Sequence, residues 1–185
     1  SGHHHSTPNM TPKKDETLKL CAGSAELDPD KPFVLAGYGD GQLHENDPIT
    51  RAQFAVLLYR SLTDDSKAAL ASSTSVFTDI AKDSWYHDAV SAFASVGVLN
   101  GCNGFFCPND NLTYGQLIAI LTRFVDAKTA SMPDVSYTKH WAYKNIMTAA
   151  AYGWIQDAAS VQPDRIVTRG EVVELVNSIL ERCKQ

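Results

Sequence analysis

Two arginines stand just inside expected helix starts, Arg51 after Thr50 and Arg169 after Thr168. A guanidinium is poorly placed there for its own helix, because the positive end of the macrodipole favours anions. An anion bound at that end is stabilised by the guanidinium and by free backbone N–H groups together. That chemistry fits a carboxylate-bearing ligand; the alternative is an arginine paired with a nearby carboxylate. Trp85 and Trp141 can stack on a flat ligand face or bury a large apolar area, and packing is the expected role. Asp79 and Asp134 can bond ligand hydroxyls or satisfy local backbone N–H groups in Asx turns.

Other chemistry-bearing residues point away from catalysis. The loop Gly37-Tyr38-Gly39-Asp40-Gly41 lacks both the lysine of a phosphate loop and the spaced acidic ligands of a calcium loop. Its glycines are expected to supply positive φ in a tight turn. His44, His87 and His140 are scattered, without metalloprotease spacing or an adjacent nucleophile. His3, His4 and His5 read as purification-tag residue, so no metal or cofactor is expected, and no enzymatic activity. Cys102 and Cys107 bracket Asn-Gly-Phe-Phe closely enough for a local disulfide, and Cys21 and Cys183 could tie the ends of the chain together. Four cysteines allow three connectivities, and free buried thiols are an equal alternative.

The elements that position these residues are repeated. Thr50-Arg51-Ala52-Gln53, Thr113-Tyr114-Gly115-Gln116 and Thr168-Arg169-Gly170-Glu171 share a Thr-x-x-Gln/Glu capping box ahead of an apolar helical run. In the second copy, Phe77-Thr78-Asp79 and Trp85 precede a stripe of Ala89, Val90, Phe93 and Ala94, with Ser84 or Asp83 as cap and Gly97 as terminator. The third copy repeats the order with Pro133-Asp134, Trp141, Ile146, Ala149 and Gly153. The same number of residues separates Asp79 from Asp134 and Thr113 from Thr168. The first copy keeps only its glycine-rich loop and capped helix; upstream, Thr17 to Cys21 reads as a short strand. The organisation expected is a tag or leader remnant at 1–10, repeats at 11–63, 76–127 and 128–185, and a linker at 64–75 with one helical turn. Apolar faces as broad as Leu117 to Val125 predict an all-α protein whose three Thr-capped helices form a central bundle, with the Trp-bearing helices outside.

Composition narrows the partners. The 185 residues are 44% hydrophobic and 20% charged, with a net charge of −5, which excludes a basic nucleic-acid footprint. No apolar run reaches the roughly 18–20 residues of a membrane span, and no secretory apolar segment stands at the N-terminus.

Laid out in this order, the chain resembles the S-layer homology family, over about residues 33 to 183. The motifs are Phe77-Thr78-Asp79 with Trp85, Pro133-Asp134 with Trp141, Gly37 to Leu43, and Ile49-Thr50-Arg51-Ala52-Gln53. The resemblance implies a pseudo-threefold unit of three repeats that binds anionic secondary cell-wall polysaccharide, such as one carrying pyruvylated sugars, in grooves at an extracellular bacterial cell surface. It implicates Arg51, Arg169, Asp79, Asp134, Trp85, Trp141, Gly37, Tyr38, Asp40 and Gly41 in binding. Copy two has Tyr114 in place of the arginine, copy one lacks the Asp and Trp, and copy three has Asp157-Ala158-Ala159-Ser160 for the loop. At least one groove is therefore expected not to bind. The alternative is a protein-interaction or assembly module, with other surface proteins as partners, that keeps the scaffold and has lost the sugar site.

Overall fold

The computed structural model describes residues 17–35, 39–131 and 134–184. The tag segment 1–10, Gly37, Tyr38 and Pro133 lie outside the described residues. The order is β1 (Cys21–Ala22), β2 (Ala25–Glu26), α1 (Arg51–Arg60), α2 (Asp64–Ala69), α3 (His87–Ser95), α4 (Tyr114–Thr122), α5 (Tyr143–Ala151), a 3₁₀ turn at Ala158–Ser160, and α6 (Arg169–Arg182). The protein is thus mainly helical, with a two-stranded antiparallel hairpin that pairs Cys21 with Glu26 and Ala22 with Ala25. No helix among the described residues is long and apolar enough to cross a membrane.

All three threonines form the reciprocal capping box. Thr50, Thr113 and Thr168 accept from the N–H of Gln53, Gln116 and Glu171, whose side chains accept from the threonine N–H in return. The two N–H groups ahead of each capped one are also satisfied. Arg51 and Ala52 donate to the carbonyls of Asp110 and Pro108; Tyr114 and Gly115 donate to Arg165 and Pro163; Arg169 and Gly170 donate to Asp47 and Glu45. Each helix start is therefore bonded to the loop that leads into another, and the three links close a ring. Ile49, Leu112 and Val167, the residues before the caps, are all fully buried at this junction. Because an unpaired N–H buried here is costly, the ring fixes the three helix starts relative to one another.

α1 packs against α3 and α4 against α5, so the first two capped helices each take the next uncapped helix along the chain as partner. α3 and α5 stop at Gly97 and Gly153, both at φ +78°. In each, the glycine N–H and the next residue's N–H bond back to the last turn, Gly97 to Ala94 and Val98 to Phe93, Gly153 to Ala150 and Trp154 to Ala149. α6 lies instead against the N-terminal segment, where the Asn177 amide bonds both the N–H and the carbonyl of Phe33 at 2.8 Å. One continuous core joins all of these elements, with Phe33, Phe54, Phe93, Phe106 and Phe124 fully enclosed.

Several local expectations are corrected. The strand covers Cys21–Ala22 rather than beginning at Thr17, because the Cys21 N–H is taken by the Phe124 carbonyl and the chain turns at Gly23. Neither Ser84 nor Asp83 caps α3; the Ser84 hydroxyl donates to the Ala81 carbonyl, and Tyr86 occupies the cap position without a side-chain bond. Trp85 and Trp141 consequently stand in turns before α3 and α5, not on the helices. The stretch after α1 is tied down by Thr63, which caps α2, and by the Ser66 hydroxyl on the Glu26 N–H, while Leu70 is buried.

Candidate functional site

A cavity of about 410 Å³ opens between the start of α1, the loop before α4 and the outer face of α4. Arg51 comes from the first copy, Asn100, Phe106, Gln116 and Arg123 from the second, and Trp141 from the third. The loop has its shape for local reasons. Cys102 and Phe105 exchange two backbone hydrogen bonds across Asn103-Gly104, both at positive φ, which is the two-residue turn that Asn-Gly favours. Gly101 is obligatory, since a Cβ there would meet the Phe105 carbonyl at 2.3 Å and the Phe77 ring at 2.5 Å.

Asp79 holds the far side of the loop. Its two carboxylate oxygens each accept at 2.8 Å, one from the Phe106 N–H and the other from the Cys107 N–H. Burial works against the charged carboxylate, but these N–H bonds and the Arg51 charge outweigh it and hold the group below its ordinary range. Asp79 is therefore a clamp on backbone twenty-seven residues away rather than the centre of a local Asx turn.

The clamped loop presents carbonyls to Arg51. Its Nε donates to Phe106 at 2.9 Å and its Nη2 to Asn100 at 3.0 Å, with the guanidinium 4.5 Å above the Phe106 ring. Burial lowers the Arg51 pKa, opposed in part by Asp110 and Asp79 and reinforced by Arg123. No carboxylate among the described residues pairs with Arg51. The N–H groups of the helix start, by contrast, are spent on loop carbonyls and the Thr50 cap. An anion in this groove is met by guanidinium groups alone, which corrects the expected help from the helix terminus.

Trp141 lines the cavity and is 58% exposed, and Trp85 is 64% exposed against Tyr86. Neither is a core residue, because the turns before α3 and α5 project both indoles outward. The buried indole is Trp154, stacked on Tyr152.

The other two helix starts differ. At α4, Tyr114 stands in the arginine position and its ring is covered by Arg165, 5.3 Å away, which donates to both carboxylate oxygens of Glu171. Glu171 and Glu174 line the adjacent hollow of about 280 Å³, so this surface is acidic and internally paired. At α6, Arg169 donates from Nε to the Leu43 carbonyl at 3.1 Å, just as Arg51 does to Phe106, but it is 2% exposed. In the loop before α1, Gly39 and Gly41 take positive φ, while the exposed Asp40 accepts from the Gln42 N–H and pairs with His44. Those two contacts hold the Asp40 carboxyl below its ordinary range. Asp134 is exposed, and no hydrogen bond to its side chain forms among the described residues.

All four cysteines carry free thiols: Cys21 and Cys102 are exposed, Cys107 half-buried and Cys183 buried. Of the two readings left open, the free-thiol one describes them, although only Cys183 is fully buried. Cys183 donates to the Ile179 carbonyl, and Cys107 is turned by its own positive φ (+61°).

The structure thus brings Arg51, Trp141 and the Asp79-held loop into one groove and leaves Trp85, Asp134, Asp40 and Gly41 outside it. Arg123 was missed by sequence reasoning, although its signal was visible as the one charge in the apolar run from Leu117 to Val125.

Residues 76–118 and 136–173 each match the sequence model of the S-layer homology domain. The chain is 30% identical, over 80% of its length, to Cell surface glycoprotein 1 of Acetivibrio thermocellus, of which it spans 7%. It is 28% identical, over 93% of its length, to the cellulosome-anchoring protein of the same organism, of which it spans 40%. To the surface-layer 125 kDa protein of Lysinibacillus sphaericus it is 24% identical over 80% of its length, covering 13% of that protein. The chain is therefore similar to a minor part of each of these relatives.

Proposed function

The chain belongs to the S-layer homology family, and from that premise we propose that it anchors a larger surface protein to the bacterial cell wall by binding an anionic wall polysaccharide. Three repeats, at 11–63, 76–127 and 128–185, form a pseudo-threefold unit around their capped helices, and the ring of hydrogen bonds between helix starts supports this arrangement. The relatives named for surface layers and anchoring support a place at the cell surface.

The observation that carries the reading is the groove at Arg51. It offers a partly desolvated guanidinium that pairs with no carboxylate among the described residues, in the same groove as an exposed indole and bonded to a loop held by Asp79. A guanidinium fits carboxylate or phosphate geometry, and an indole face suits the apolar side of a pyranose. The groove at Tyr114 does not take part, since Arg165 and Glu171 already satisfy each other there.

Co-sedimentation with purified sacculi, before and after removal of the polysaccharide, tests the reading. Native sacculi should pellet the chain and stripped sacculi should not, and Arg51→Ala should abolish most of the difference. Equal pelleting on both kinds of sacculi refutes polysaccharide binding.

A further inference from the structure

We propose that Arg123 is a second anion-binding group of the Arg51 groove, and that the two guanidinium groups together receive one acidic substituent of the polysaccharide. The claim rests on the groove being the polysaccharide site. Arg51 and Arg123 come from different copies yet converge on one residue, Asn100. Arg51 Nη2 donates to the Asn100 carbonyl at 3.0 Å. The Asn100 side-chain amide, in the orientation that satisfies both of its ends, accepts from Arg123 Nη2 at 3.3 Å and donates to the Leu99 carbonyl. Arg123 Nη1 donates to the Val98 carbonyl at 2.8 Å.

All these acceptors are neutral. Among the described residues no carboxylate forms an ion pair with either arginine, and Arg51 Nη1 and Arg123 Nε meet no acceptor. Both groups are partly desolvated, and burial lowers the pKa of each. Asp110 lines the cavity and Asp79 lies nearby, but Asp79 is committed to the Phe106 and Cys107 N–H groups. Two like charges sharing a cavity, neither ion-paired with a carboxylate among the described residues, repel each other, and an acidic group placed between them relieves the desolvation and the repulsion together. The neighbouring groove lacks this arrangement. Ser178 stands at the corresponding place, ten residues after the capping threonine, with Glu171 and Glu174 beside it.

The shared chemistry is an anion with two or three accessible oxygens, either a sugar carboxylate or a phosphodiester. The test measures binding of the full chain to wall polysaccharide by calorimetry, using the native polymer, a carboxyl-reduced polymer and a phosphate-stripped polymer. One of the two neutralised polymers should lose binding, which identifies the source of the charge. Arg123→Gln, which keeps a donor for Val98, should weaken binding of the native polymer at least about tenfold, the equivalent of 1.4 kcal/mol. It should leave the weak binding of the neutralised polymer unchanged, and Arg123→Lys should recover part of the loss. Equal loss on native and neutralised polymers, or no loss on either, overturns the proposal. Should the glutamine variant fail to fold, side-chain NMR of the unaltered chain decides: native fragments should shift the Nε–H signals of both arginines, and a shift of Arg51 alone overturns it. A chain that pellets with native sacculi, loses this with Arg51→Ala and keeps it with Arg123→Gln refutes this inference while leaving the polysaccharide reading intact. A chain that binds stripped sacculi equally well refutes the reading itself.

Discussion

Replacing Asp79 with alanine should destabilise the protein by about 2–4 kcal/mol and weaken polysaccharide binding in parallel. The carboxylate satisfies the N–H groups of Phe106, a residue 1% exposed, and of half-buried Cys107. Truncation orphans both donors, and a buried unsatisfied group costs about 1–3 kcal/mol. Water reaches the Cys107 side more easily, which sets the total below the upper sum. For a chain of this length about 2–4 °C accompanies each kcal/mol, so the melting temperature should fall by roughly 4–16 °C. Asp79→Asn keeps one acceptor but points an amide N–H₂ at the other donor, and should cost about half as much. The pH dependence has a definite sign. The folded Asp79 carboxyl lies below its unfolded value, so its stabilisation is complete above about pH 3.9 and is lost as pH falls through the lower folded value. Urea unfolding of wild type and Asp79→Ala at pH 7 and along a descending pH series measures both effects. A difference under about 0.5 kcal/mol at pH 7, or one that stays constant down to pH 2.5, refutes the clamp.

Gly101→Ala should cost about 1–3 kcal/mol in thermal unfolding, because its Cβ collides with the Phe105 carbonyl and the Phe77 ring. Thr113→Ala should cost about 1 kcal/mol and Thr113→Ser much less, since only the hydroxyl is needed to cap Gln116; urea titration checks this. Trp141→Ala should change stability by less than about 0.5 kcal/mol, as expected of an exposed residue. The same variant should weaken polysaccharide binding several-fold by calorimetry.

Features made by near neighbours were legible in the chain. The capping boxes join residues three apart, the Asn103-Gly104 turn needs two residues of positive φ, and Gly97 and Gly153 end their helices by a local backbone conformation. Their energetics are complete within a few residues, so residue type and spacing reveal them. Asp79 was recognised as a site residue, but its role was not, because its partners lie a whole helix away at Phe106 and Cys107. The tryptophans were read as packing residues from their area, and only the exit direction of the turns before α3 and α5 puts them on the surface.

The sequence by itself determined the three helix starts, their order and the helix stops, all of which follow from local hydrogen bonding and apolar periodicity repeated along the chain. Tertiary structure decided what those starts can bind. It spent their N–H groups on a ring of loop carbonyls, buried Arg169, covered Tyr114 with Arg165, and set Arg51 and Arg123 from two copies on either side of Asn100. These outcomes depend on which distant groups compete for the same donor or the same charge, and that competition is settled only when the copies pack together.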